Sequence, residues 1–211
     1  MNDIKLKTTD STHDICVTYG EKFLAGQLSL VESKGYDFAP PFKEMTIHLY
    51  LIGVMWRHGE NLDLAISPRD HALESLNKIL VKTGMSNRSA AKRISLLKDL
   101  SQETGSNEAD VINSGYQASM NDNSLDMIFD EHRDEVRVSG ALWRFYSRGK
   151  RFMLLGGGAA AIFAIFFVTL YSPTSSGITI LALGLLAAAL VVMPTFIIGV
   201  LVYRIKFKKK N

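Results

Sequence analysis

The sequence has a single cysteine among its 211 residues, Cys16. One cysteine excludes an internal disulfide and fits a chain that stays in a reducing compartment. Residues 1–14 are polar and contain no apolar stretch of the kind that a secretory signal peptide requires. We therefore expect no exported, disulfide-stabilised domain, and we expect residues 1–14 to form a flexible leader.

Motifs for catalysis, metal binding and nucleotide binding are also missing. The sequence contains no glycine-rich phosphate loop, no nucleophile elbow and no paired histidines at helical ligand spacing. His13 and Cys16 are spaced like metal ligands, but two ligands do not make a zinc site and no second pair appears. His71 and Glu74 form an isolated pair of the sort that occurs by chance. The sequence predicts no enzymatic activity, no cofactor, no metal and no small-molecule substrate.

Asp, Glu, Lys, Arg and His are absent from two long stretches near the end of the chain, residues 152–171 and 178–203. As helices they would be about 30 Å and about 39 Å long, against a hydrocarbon core of about 30 Å, so the second must tilt, bend or overshoot. Transporters and charge-selective filters place ionisable groups inside the membrane. The two stretches therefore predict a transmembrane hairpin that anchors rather than conducts, with residues 172–177 as its external turn.

Positive charges flank this predicted hairpin on one side only. They precede the first span in a basic-aromatic segment, residues 136–151, and follow the second span in a basic tail, residues 204–211. Because positive residues stay on the cytoplasmic side, we expect both termini to lie in the cytoplasm. We expect the protein to be an integral membrane protein of a bacterial inner membrane. The residues expected at the membrane interface are Trp143, Arg144, Phe145, Tyr146, Arg148, Lys150, Arg151, Tyr203, Arg204 and Lys206.

Small residues recur along both predicted spans at the spacing that lets helices pack closely in lipid. They are Gly156, Gly157, Ala160, Ala164, Gly184, Ala188 and Gly199. The pattern leaves open whether these residues join the two helices of one hairpin or helices of different chains. We favour packing within one hairpin.

The preceding part of the chain, residues 15–135, predicts a cytosolic all-α domain. Apolar residues recur at helical spacing, and no segment alternates with the period of a strand. We expect a bundle of five or six helices, from segments within 18–34, 42–57, 68–83, 88–102, 107–120 and 125–138. Residues 1–132 hold 13 Lys and Arg against 19 Asp and Glu, so this part of the chain is acidic.

One stretch of this acidic domain is locally basic. Its six basic residues are Lys78, Lys82, Arg88, Lys92, Arg93 and Lys98. Two predicted helices joined at Gly84 resemble the rhythm of a DNA-binding helix-turn-helix. However, bulky residues fill the position where that motif carries a small one, and a net negative domain repels phosphate. We expect a solvated face or, failing that, contact with an acidic partner or the anionic leaflet, and we do not expect nucleic acid as the partner.

These patterns favour one function and leave two alternatives open. The favoured hypothesis is a non-enzymatic protein, anchored in a membrane, that binds a protein partner or further copies of itself at the cytosolic face. The first alternative is a membrane-acting effector or toxin whose hairpins form a pore or disrupt the bilayer. The second is a membrane-tethered helix-turn-helix regulator that binds DNA.

Overall fold

The computed structural model describes residues 2–102, 105–174 and 176–206. The described chain is 81% helical and contains no strand, which confirms the predicted all-helical fold. It divides into two compact units, Met1–Glu135 and Val136–Asn211. Ser175 of the predicted turn and residues 207–211 of the predicted basic tail lie outside the described residues.

Six α-helices form the described part of the first unit. They are α1 (Asn2–Lys34), α2 (Pro40–Gly59), α3 (Pro68–Lys82), α4 (Asn87–Leu100), α5 (Asn107–Gln117) and α6 (Ser124–Glu131). In the second unit a 3-10 turn (Val136–Val138) precedes two long apolar helices, α7 (Gly140–Tyr171) and α8 (Gly177–Lys206). The basic-aromatic segment from Gly140 onward and the first predicted span thus belong to one continuous helix, α7.

Local signals in the sequence account for several helix boundaries. The side chains of Ser67, Ser86 and Ser106 accept hydrogen bonds from backbone amides in the first turns of α3, α4 and α5. Such caps satisfy amides that have no partner inside the helix. Between α3 and α4 the chain turns at Gly84, whose φ of 99° lies in the left-handed region that favours glycine.

Helix α2 lies at the centre of the first unit. Its apolar residues are buried around nearly the whole helix circumference, including Leu49, Tyr50, Leu51, Ile52, Val54 and Met55. Its backbone touches that of α5 directly, because a Cβ atom built on Gly53 would collide with the carbonyl oxygen of Ile112. A Cβ atom on Gly115 of α5 would likewise collide with the carbonyl oxygen of Tyr50. Two glycines therefore set the distance between these helices.

Two helix boundaries differ from those predicted. Helix α1 begins at Asn2, so residues expected to form a flexible leader are helical, and His13 is buried. His13 forms a hydrogen bond with Ser75 of α3, a contact that the local sequence does not reveal. Helix α6 ends at Glu131 rather than at residue 138. Residues 130–135 are all ionisable, so a longer helix would have no apolar face to bury there.

Candidate functional site

Helices α7 and α8 pack against each other in antiparallel directions. A Cβ atom built on Gly157 would lie 3.0 Å from Cγ2 of Val192, and one on Gly184 would lie 2.8 Å from Cγ1 of Ile165. Moving from residue 157 to 165 on α7 therefore corresponds to moving back from 192 to 184 on α8. The two helices of one chain form a hairpin whose approach is set by small residues.

The small residues picked out by their spacing occupy different positions in this hairpin. Gly157 and Gly184 are buried between the helices, and Gly156 would meet Val191. Ala160, Ala164 and Ala188 are half-buried. A Cβ atom on Gly199 would meet nothing within 4 Å. Close packing between α7 and α8 therefore centres on Gly156, Gly157 and Gly184, and Gly199 lies outside it.

The outward faces of this hairpin carry large, exposed apolar side chains. Of the described helices, two are long and apolar enough to cross a membrane, Gly140–Tyr171 and Gly177–Ile205. Only 6% of the most apolar window of the first is buried, and none of the second. A core helix of a soluble protein would bury such a stretch. The exposed apolar side chains of the two helices include Phe152, Leu155, Phe163, Phe166, Phe167, Leu181, Leu185, Leu190, Phe196 and Ile197.

Basic and aromatic residues lie at one end of the hairpin, where α7 begins and α8 ends. Trp143 and Tyr146 are exposed, with ring centroids 6.4 Å apart. Phe145 is half-buried. The other four predicted interface residues of α7 are exposed cations, Arg144, Arg148, Lys150 and Arg151. Tyr203 and Arg204 are exposed near the end of α8, and Lys206 is its last residue. The structure therefore brings both predicted groups of interface residues to the same end.

The basic stretch on α3 and α4 is largely paired with acids. Four of its six cations lie within 4.0 Å of a carboxylate oxygen: Lys78 with Asp14, Lys82 with Glu21, Arg93 with Glu44, and Lys98 with Asp70. Among the described residues Arg88 and Lys92 have no such pair. The stretch therefore presents less positive charge than its sequence indicates, and this weakens its attraction for phosphate.

A polar cluster lies in the core where α1 meets α3. The Nδ1 atom of His13 is 3.1 Å from Oγ of Ser75, and its Nε2 atom is 3.2 Å from Oε2 of Glu74. The ring of His13 stacks on that of His71, with centroids 4.1 Å apart. Two residue pairs that are distant in sequence, His13 with Cys16 and His71 with Glu74, lie in one cluster in the folded protein. Local spacing gives no signal of such a contact, because it depends on how α1 packs.

Burial controls the chemistry of this cluster. It lowers the pKa of His71 to about 4, helped by the nearby charges of His13 and Lys78. Burial also raises the pKa of the Cys16 thiol, so the thiolate is disfavoured. Ser75 and Cys16 are both 0% exposed, and a substrate cannot reach either as a nucleophile. In the described part of the chain, no three His, Cys, Asp or Glu side chains are placed to hold a metal ion.

The chain matches no protein family model, no curated protein and no solved structure. Its class is therefore defined by its own geometry. It is an all-helical protein with two candidate membrane-spanning helices.

Proposed function

We propose that the protein is a membrane-anchored, non-enzymatic interaction protein. In this proposal α1–α6 form a cytosolic helical bundle, and α7 and α8 hold that bundle at the inner face of a bacterial membrane. The bundle acts by binding a protein partner or further copies of the same chain. The observation that carries the proposal is the hairpin, two packed helices whose outward faces are almost entirely apolar and exposed.

The exposed faces of the hairpin support a location in lipid. Monomeric soluble proteins rarely expose a continuous apolar patch of more than a few hundred Å², and larger patches mark protein or membrane contact sites. Here the apolar faces extend along residues 152–171, which as a helix measure about 30 Å and match the hydrocarbon core. An α-helix pairs its interior backbone groups within itself, as a lipid environment requires, and Pro194 inside α8 is an exception because it has no amide hydrogen to donate.

The charge at the ends of the hairpin supports its proposed orientation. The exposed cations lie where α7 begins and α8 ends, while the described residues of the opposite end, including Ser172 and Thr174, carry no charge. Positive residues near spans remain on the cytoplasmic side, so both termini are proposed to be cytoplasmic.

The cytosolic unit supports binding rather than catalysis as the protein's role. Its one thiol is buried, and the serine that contacts a histidine is buried with it. Neither of these two nucleophiles is within reach of a substrate, so neither supports catalysis. A DNA-binding role is not proposed, because the basic stretch that motivated it is paired with Glu21, Glu44 and Asp70 across helices.

Membrane extraction of the full-length protein tests the proposal. Membranes from expressing cells are washed with alkaline carbonate and then dissolved in a mild detergent. We expect the protein to resist the carbonate wash and to elute from gel filtration in detergent as a complex larger than one chain. Release by carbonate would contradict the membrane anchor. Elution as a single chain without a partner would contradict the interaction role.

Purified protein in liposomes separates the anchor from the pore-forming alternative. Liposomes loaded with a self-quenching dye are reconstituted with increasing densities of the protein. The anchor predicts no leakage at any density, because neither apolar stretch contains an Asp, Glu, Lys, Arg or His residue. Leakage that rises steeply with protein density would favour the membrane-acting effector instead.

A further inference from the structure

The packing of α7 against α8 fixes which residues lie at the same level along the hairpin. Gly156 lies beside Val191, Gly157 beside Val192, and Gly184 beside Ile165. Extended toward the basic end, this register places Arg151 level with about residue 196 and Arg144 level with about residue 203. The cations of α7 thus lie alongside the last turns of α8 and do not extend beyond them.

The apolar surfaces of the two helices therefore end at different levels. On α7 the uncharged stretch stops where Arg151 begins the basic region, whereas on α8 it continues to Tyr203. The difference amounts to about seven residues, or about 10 Å along the helix axis. Within this step Ile197, Ile198 and Leu201 of α8 are 57%, 59% and 51% exposed. Exposed cations and exposed apolar side chains thus occupy the same depth.

Three of the cations in this step share one face of α7. Arg144, Arg148 and Arg151 are spaced i, i+4 and i+7, so at about 100° per residue they fall within about 60° of one another. The same geometry places the direction midway between Gly156 and Gly157, which contact α8, about 160° from the centre of this face. All three side chains are exposed. The arginine face is therefore directed toward whatever surrounds the hairpin.

In a bilayer the surroundings at this depth are lipid headgroups. A guanidinium beside apolar surface extends its charged end toward the interface, and its planar fork matches a phosphate bidentately. The flanking rings of Trp143 and Tyr146 belong to the same zone. Neutral and anionic phospholipids both carry a phosphate, but only anionic lipids carry the net negative charge that attracts three arginines on one helix face.

We propose that Arg144, Arg148 and Arg151 form a binding surface for the headgroups of anionic phospholipids, at the step between the two helices. This surface selects lipids around the hairpin at its cytosolic end. The proposal rests on the proposed membrane insertion, and it adds a lipid class and three named residues to it.

Spin-labelled lipids in proteoliposomes test this surface. The full-length protein is reconstituted with a trace of spin-labelled phosphatidylglycerol or phosphatidylcholine, and the motionally restricted fraction measures association with the hairpin. We expect wild-type protein to prefer phosphatidylglycerol by at least fivefold, and we expect this preference to shrink as the salt concentration rises. Equal association of the two lipids at low salt would overturn the proposal.

Three variants test whether these arginines cause the preference for phosphatidylglycerol. The triple variant R144Q/R148Q/R151Q is expected to lose most of it, and R144K/R148K/R151K is expected to keep part of it because the charge remains. The matched control R88Q/K92Q removes two unpaired cations from α4 and is expected to keep the wild-type preference. A triple glutamine variant that retained the full preference would contradict the assignment to these arginines.

Flotation of the same proteoliposomes after carbonate treatment keeps this result separate from the proposed function. Protein that stays with the lipid but shows no preference refutes the arginine surface and leaves the membrane anchor intact. Protein that leaves the lipid refutes the anchor itself, and the arginine surface is refuted with it.

Discussion

Individual polar side chains in the first unit are held in place by contacts between helices distant in sequence. His71 is 1% exposed and stacks on His13, and neither of its ring nitrogens has a hydrogen-bond partner among the described protein groups. The charges of His58 of α2 and Lys78 of α3 also act on His71, and Glu74 of α3 contacts His13. Because a charged imidazole would be buried without compensation, the fold keeps this ring neutral.

The buried His71 predicts that acid destabilises the fold. Its pKa is about 4 in the folded protein and 6.5 in its ordinary state. As the pH falls from 6.5 to 4 the unfolded chain gains a proton that the folded chain does not, so the free energy of unfolding decreases across this interval. H71F keeps an aromatic ring for His13 to stack on and removes the titration. In urea unfolding of the full chain in mild detergent, we expect H71F to show a shallower loss of stability between pH 6.5 and 4.

A surface variant and a second histidine complete the pH experiment. K92Q changes an exposed charge and is expected to follow the wild-type pH dependence. Some dependence is expected to remain in H71F, because burial also lowers the pKa of His48 to about 4, with Arg93 contributing. An H71F curve parallel to wild type would show that His71 does not couple folding to pH.

Gln27 of α1 predicts a second effect on stability at the residue scale. It is 0% exposed, donates to the carbonyl oxygen and Oδ1 of Asp122 at 2.9 Å, and accepts from the amide of Leu125. Q27L leaves these groups without their partner and is expected to lower the free energy of unfolding by about 1–3 kcal/mol. Q117L, at an exposed glutamine of α5, is the matched control and is expected to change it by less than about 0.5 kcal/mol. Equal effects of the two variants in urea unfolding would contradict the role of Gln27.

At the scale of helices, the local part of the fold was predictable and the contacts between helices were not. Caps such as Ser67 and turn residues such as Gly84 act on their immediate neighbours, so the bounds of α3 and α4 follow from short stretches of sequence. His13 of α1 contacts Ser75, 62 residues away, and the local sequence gives no signal of that contact. The same limit explains why the polar cluster was missed, whereas the hairpin, marked by two uncharged stretches, was found.

The crossing of α2 and α5 at Gly53 and Gly115 carries the prediction at this scale. G53A or G115A places a methyl group into the backbone of the facing helix, which cannot yield as a flexible side chain can. Each variant is expected to lower the free energy of unfolding by about 3 kcal/mol or more, at the upper end of overpacking effects. The measurement is urea unfolding of the full chain in mild detergent.

Gly26 provides the matched control for this crossing. It lies within α1, and a Cβ atom there would come no closer than 3.9 Å to its neighbours. Because alanine favours a helix interior over glycine, G26A is expected to raise stability by up to about 1 kcal/mol. Changes of opposite sign in the free energy of unfolding for G26A and G53A would establish the close crossing. Stability unchanged in G53A and G115A would contradict it.

At the scale of the whole molecule, the net charge of +3 is the sum of opposite parts. Residues 1–132 have six more acidic than basic residues, and the excess of positive charge lies around the hairpin. The overall charge is therefore no evidence for nucleic-acid binding, and its distribution favours the orientation proposed for the hairpin.

The single cysteine makes this orientation testable by thiol labelling. Cys16 is 0% exposed and burial raises the pKa of its thiol, so the native protein is expected to react with a maleimide only after denaturation. T174C places a thiol in the described part of the turn, and R204C places one at the opposite end of the hairpin. In intact cells a membrane-impermeant maleimide is expected to label T174C but not R204C, because only the turn is proposed to lie outside. After the membrane is opened both variants are expected to react. Labelling of R204C but not of T174C in intact cells would show the opposite orientation. Labelling of both variants in intact cells would contradict a membrane-spanning hairpin.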